Sequence, residues 1–323
     1  MKRLVSLVLV VIFILAIGTC AMAEEPKRVM FINSIRSLDF FVNIEAAVLK
    51  EAETYGWEVT CVDSQGQNTM TADYISQGVA AQYDAIMAGG DETIIPAVEE
   101  AVEAGIVVVN YDAWCGSDKV TARVSSDNVA MGRQMGDYAV ELLKEKYNGE
   151  VKGTVIYMNF SISSMLDRCA GFVSAFEGYE DVELIEVIPK DQFLDESYIT
   201  MENTLTAMPE GTIDVIYASN SGAALGALAA AETANRTDFV IMGIDDEAGQ
   251  ISALQNQDSV YVATLAQDPI AIGRISAETL AKIFAGEDVN EIVSVDARLV
   301  TKSNVEEFVA NEAIAKAEIE AYK

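Results

Sequence analysis

Eight polar residues, Ser34, Asp63, Asp91, Asp112, Asn159, Asn220, Asp245 and Gln267, stand at the ends of short β-branched or apolar runs. Such groups accept and donate hydrogen bonds, and aspartate in particular accepts two hydroxyl hydrogens. The chain contains no histidine, so Ser-His-Asp and Cys-His nucleophilic sites are excluded. Flat aromatic rings lie near the same points: Phe40 and Phe41 in "SLDFFVN", Trp114 in "VVVNYDAWCG" and Phe193 in "KDQFLD". Together these types suit noncovalent capture of a molecule with an apolar face and a rim of hydroxyls. Taken singly, Asp, Asn or Ser at such a point is an ordinary helix N-cap.

A scaffold must bring these strand ends together. "VMFIN" (residues 29–33) precedes a helical-period segment over residues 40–55, then "WEVTCVD" ends at Asp63, "YDAIMAGG" at Gly90 and "IVVVNYD" at Asp112. A second series runs through "GTVIYMN", "VELIEVI", "IDVIYASN", "FVIMGID" and "VYVATLAQ", with helical segments such as residues 223–234 and 270–284. Apolar runs that do not alternate are strands buried on both faces, and their alternation with helices means parallel sheets covered on both sides. Two series predict an α/β protein of two doubly wound parallel-sheet lobes, with ligand outside the carboxyl ends of the strands.

Charge narrows the partners. The chain has 21 Lys and Arg against 51 Asp and Glu, a net charge of −30, which repels phosphate backbones and anionic lipid and excludes nucleic-acid or membrane-surface binding. Lys2 and Arg3, an apolar stretch over residues 4–17 and Ala21-Met22-Ala23 read as a secretory signal, residues 1–23, cleaved before Glu24. The apolar stretch is shorter than the roughly 20 residues of a bilayer span. Cys20 in "AIGTC" loosely resembles a lipoprotein lipobox; soluble release is preferred and a lipid anchor is the lesser alternative. The other cysteines, Cys61, Cys115 and Cys169, form no disulfide framework or zinc pattern; free thiols are expected, with a Cys115–Cys169 pair as the alternative.

Other motifs have bland readings. "AGGDET" follows a strand and opens a helix, where its glycines serve the turn. No glycine-rich phosphate cradle is present. Asp245-Asp246-Glu247 reads as one inward carboxylate followed by helix-start acids, since calcium loops space their ligands at alternate residues. No cofactor or metal is expected.

The pieces "SLDFFVNIEAAVLKEA", "VDSQGQ", "VSSDNVAMGRQMGDY", "RCAGF", "NSGAALGAL" and "GIDD", in this order within residues 29–301, resemble periplasmic sugar-binding proteins of the ribose type. These are substrate-binding components of ABC importers, related to the effector domains of LacI-type regulators. The resemblance implies a type I periplasmic-binding fold with a three-crossover hinge near Ser126, Gln267 and Val300. The first lobe would then hold residues 24–126 and 268–300, and the second residues 127–267 and 301–323. It places stacking aromatics on Phe40, Phe41 and Phe193, and hydroxyl-binding groups on Asp112, Arg168, Asn220, Asp245 and Gln267. Two positions depart from the pattern. Ala113 stands where ribose binders have an arginine directly after the aspartate, and Leu38 replaces an asparagine donor before the aromatic pair. Losing two donors argues against ribose itself. Trp114 filling the vacated space favours a deoxy sugar, a furanose signal molecule or a polyol.

The function implied is that of an exported, monomeric receptor, not an enzyme, in the periplasm or on the extracellular face of the cell envelope. It would capture a neutral monosaccharide or close relative, close over it because only the closed form makes both sets of contacts, and present it to an ABC permease in the membrane. A sensor feeding a chemoreceptor or histidine kinase is the alternative. A transcription regulator is disfavoured by the export signal, and an extracellular glycosidase would need two of these acids as a catalytic pair.

Overall fold

A computed structural model describes residues 25–323; the expected signal segment and Cys20 lie outside the described residues. The first strands are β1 (Arg28–Asn33), β2 (Glu58–Asp63), β3 (Ala85–Ala88), β4 (Val107–Tyr111) and β5 (Ala122–Ser126). Between them run α1 (Asp39–Tyr55), α2 (Asn68–Ala80) and α3 (Ile95–Glu103). With β11 (Ile292–Val295) these strands form a parallel six-stranded sheet in the order β11-β5-β4-β3-β1-β2.

The second lobe repeats the plan. Its strands are β6 (Gly153–Met158), β7 (Val182–Val187), β8 (Val215–Ala218), β9 (Val240–Ile244), β10 (Tyr261–Ala266) and β12 (Arg298–Thr301), in the order β12-β10-β9-β8-β6-β7. Here β12 runs antiparallel to β10. The helices are α4 (Asn128–Lys146), α5 (Ser163–Ser174), α6 (Leu194–Ala207), α7 (Ser221–Thr233) and α8 (Ala248–Gln255), followed by α9 (Pro269–Phe284) in the first lobe and α10 (Val305–Ile319). Central strands such as β3 and β8 are buried at every residue, as covering helices on both faces require. Each lobe carries apolar clusters on both sides of its sheet.

The chain crosses between the sheets after β5, after β10 and between Val295 and Arg298. The third crossing precedes the expected one: Val300 already pairs with Thr264 in the second sheet. A run of four residues such as "RLVT" cannot announce which sheet it joins, because pairing is set by a partner strand more than 30 residues away. The C-terminal helix also departs from a simple assignment to the second lobe. Val305 and Phe308 pack in the second lobe's core, whereas Ile319 packs on Ala46 and Ala47 of α1, and Lys50 pairs with Glu318 at 2.8 Å.

Two glycine-bearing motifs set the position of a key arginine. A side chain at Gly132 of α4 would overlap the carbonyl of Arg168, and one at Gly171 of α5 would overlap the carbonyl of Val129. The absent Cβ atoms let α4 and α5 pack backbone to backbone, which brings Arg168 beside the first residue of α4.

Candidate functional site

The carboxyl ends of both sheets face one cleft, and the second lobe's half of it is a bonded platform. Arg168 on α5 is only 5% exposed. Its Nε donates to Asn128 Oδ1 at 2.8 Å and its Nη1 to the Ser219 carbonyl at 2.9 Å. The Asp245 carboxylate stands 4.0 Å from Nη1. Oδ2 of Asp245 accepts the Ser221 N–H at 3.0 Å, and Oδ1 accepts from Gln267 Nε2 at 2.9 Å. Beneath it, the Thr264 hydroxyl donates to the Asp245 carbonyl at 2.6 Å, and the fully buried Gln250 amide reaches Ile244, Tyr261 and Thr264. Asn128, Thr264 and Gln250 escaped the sequence reading because their work is to hold other residues, which leaves no local pattern.

Asp112 and Asp245 are related by construction. Both take a left-handed backbone, φ +56° and +76°, which aspartate tolerates better than bulkier residues do. The Asp112 N–H donates to Val124 O at 2.9 Å and the Asp245 N–H to Leu265 O at 3.0 Å. Each lobe thus ends its fourth strand with the same kink toward the fifth, leaving a carboxylate beyond the pleat.

The first lobe's half is bare by contrast. Among the described residues the half-buried Asp112 carboxylate has no hydrogen-bond partner. Burial pushes its pKa up to about 6, with Asp245 adding to the shift and Arg168 and Arg123 opposing it. Those influences come from both lobes, so Asp112 faces the platform. Arg123, the second residue of β5, was not singled out in the sequence. Its guanidinium lies over the Trp114 ring, 5.0 Å from the centroid, and its Nε is buried without a partner. Burial lowers its pKa, while Asp167, Asp127 and Asp112 favour the charge. The available signal was a lone base inside "ARVSS".

The remaining expected residues sort into two groups. Phe40 and Phe41 lie half-buried, edge to face at 5.1 Å, against the first lobe's core. Asn33 Nδ2 donates to the Phe41 carbonyl at 3.1 Å, which fixes the turn that presents them. Trp114 is 44% exposed and Phe193 is 66% exposed, at the N-cap of α6. Asn220 uses its Oδ1 to cap α7 through the Ala223 N–H and donates to the Gln192 carbonyl at 3.0 Å, tying the Phe193 loop to β8. Asp91 caps Thr93, Asp63 accepts from the Gln65 N–H and Asn159 from the Phe160 N–H. These three carry the local roles that such residues have by default.

Beyond Asp245, Glu247 caps α8 in a capping box with Gln250. Asp246 lies toward α10, with its pKa pushed up to about 6 by burial, then by Glu312. No group of three or more potential metal ligands occurs among the described residues. Cys115 and Cys169 are free thiols in the cores of different lobes, and Cys61 is also free. Hollows of about 430 and 370 Å³ lie elsewhere, walled by surface ion pairs such as Arg133–Asp137 and Lys27–Asp84.

Comparison with known proteins agrees with this architecture. Residues 29–288 match the family model described as the periplasmic binding protein domain. The ribose import binding protein of Escherichia coli is 28% identical over 304 residues, covering 94% of this chain and 99% of its own length. A solved ABC transporter solute binding protein from Mycobacterium smegmatis, with bound glycerol, is 29% identical with a TM-score of 0.76, covering 88% of this chain and 97% of its own. A periplasmic ribose ABC transporter protein from Conexibacter woesei shares the fold at a TM-score of 0.81 and 21% identity, covering 88% and 95% of the two chains.

Proposed function

The chain belongs to the periplasmic binding protein family, and from that premise we propose that it captures a neutral monosaccharide or polyol between its lobes and delivers it to an ABC permease outside the cytoplasm. The carrying observation is the unpartnered Asp112 carboxylate, held at the cleft opposite the Arg168–Asp245 platform. A half-buried acceptor without a donor is poorly solvated in the empty protein, and a ligand hydroxyl satisfies it. The Escherichia coli relative is a ribose import binding protein and the Mycobacterium smegmatis protein holds glycerol, which supports a polyhydroxylated ligand.

Binding would proceed without covalent chemistry. The ligand's hydroxyls first meet the platform, where Arg168 and Gln267 retain donors and Asp245 an acceptor lone pair. Phe40 and Phe41 offer an apolar wall to its C–H face. Engagement of Asp112 then links the two lobes through the ligand, and the closed arrangement gains population by the free energy of those added contacts. The closed form is the one a permease would read. Titrating the mature protein with pentoses, hexoses, deoxy sugars and polyols while following Trp114 fluorescence tests this. A saturable change with one class, confirmed by calorimetry, supports the reading; silence in both measurements across the panel contradicts it.

A further inference from the structure

The first lobe holds a cationic group whose partner is missing. The Arg123 guanidinium makes no side-chain hydrogen bond among the described residues, and its Nε is buried. Such a group is expensive to hold unless something else accepts from it. Arg123 is half-buried: Val124, the next residue in β5, packs beneath α9, and Arg123 turns to the other face of the sheet. There Trp114 covers one side of it. Its charge is favoured by Asp167 on α5 of the other lobe, by Asp127 at the cap of α4 and by Asp112 after β4. Arg123 pairs with Asn110, two residues before Asp112, which sets it beside the end of β4.

We infer that Arg123, held over the Trp114 ring, is the hydrogen-bond donor of the first lobe's half of the site and selects ligands bearing a hydroxyl beyond the reach of Arg168. Ala113 offers no side-chain donor beside Asp112, and Arg123 supplies one from the neighbouring strand. Trp114 is then a positioning residue: its ring fixes the plane of the guanidinium fork, leaving donors directed at the ligand. The local charge decides the ligand class. Asp112, Asp127, Asp167 and Asp245 outnumber Arg123 and Arg168, so the subsite repels a carboxylated sugar and accepts a neutral one.

This inference rests on the sugar-binding reading, and the experiment separates the two. Calorimetry is run on the wild type, Arg123→Gln and Arg123→Lys with aldopentoses and aldohexoses, each paired with its deoxy analogues and its uronic acid. A hydrogen bond from a charged donor corresponds to about 10- to 100-fold in affinity, so Arg123→Gln should lose that factor for the best sugar. It should lose almost nothing for the deoxy analogue that lacks the contacted hydroxyl, a selectivity a merely structural role would not produce. Arg123→Lys, which keeps the charge but not the fork, should fall between, and the uronic acid should bind the wild type worse than its neutral parent. Thermal melting confirms that the variants fold; if Arg123→Gln does not, the Lys variant carries the comparison. Wild-type affinities and ranking in both variants would overturn the inference while leaving the sugar reading intact. Binding of neither a sugar nor a polyol by the wild type in the same calorimetry would overturn both.

Discussion

The two halves of the cleft are built on opposite principles. In the second lobe, Arg168 is pinned by Asn128 and Ser219, and Asp245 by Ser221 and Gln267, before any ligand arrives. In the first lobe, Asp112 and Arg123 face the same space without such bonds. A pre-bonded half costs little to order on binding and supplies a fixed frame. An unbonded half leaves desolvated groups that only a matching ligand satisfies, so discrimination belongs there.

The comparison breaks most readily at Asp245. Asp245→Ala removes the acceptor shared by Ser221 and Gln267 and the carboxylate paired with Arg168, and should cost about 3 kcal/mol or more of binding free energy. It should also lower the melting temperature of the empty protein; affinity lost without any change in melting would show that the platform is not pre-bonded. At Asp112 the two effects should have opposite signs. Asp112→Asn removes a half-buried charge with no hydrogen-bond partner among the described residues, so the empty protein should melt roughly 2 °C higher, while affinity falls about tenfold for loss of an ionic acceptor.

Acidity gives a gentler version of the same test. The folded pKa values of Asp112 and Asp246 lie at about 6, above the ordinary 3.8. In that window the folded state binds more protons than the unfolded state, so their contribution to stability rises as pH falls from above 6 toward 4. Over the same range Asp112 loses its charge, and sugar affinity should decline. Melting curves and calorimetry at pH 7 and pH 5 should therefore move in opposite directions; parallel movement would deny Asp112 its acceptor role.

Asp238 is the control carboxylate. It is paired with Arg236 at 2.6 Å, which holds its pKa at about 2. Asp238→Asn should lower stability at neutral pH, by about 1 kcal/mol after allowance for solvent screening, and leave affinity unchanged. Its contribution is present above the unfolded value of 3.8 and is lost as pH falls through about 2, opposite in sign to Asp112. The smallest effect is expected from Phe193→Ala, since that ring is mostly exposed and buries area only when the lobes close.

Much of this was legible in the chain. Unbroken apolar runs such as "VVVNYD" and "FVIMGID" announce strands buried on both faces, and their alternation with helical segments gives two parallel lobes. The final residues of those two runs are Asp112 and Asp245, the kinked carboxylates of the cleft. The lack of histidine also excluded Ser-His-Asp and Cys-His nucleophilic sites.

What the sequence left open depends on distance in space. Asp91, Asn159 and Asp112 look alike at strand ends, yet the first caps Thr93 and the second accepts from the adjacent Phe160 N–H, while the third meets no such group among the described residues. Arg123 looks like a surface base on a strand until Trp114 is found over it and carboxylates of both lobes are found to act on its charge. Periodicity records which face of an element is buried, and it is a local property. Whether a polar group finds a partner is decided by residues tens of positions away, so only the tertiary structure separates the residues that hold the fold from those left free to hold a ligand.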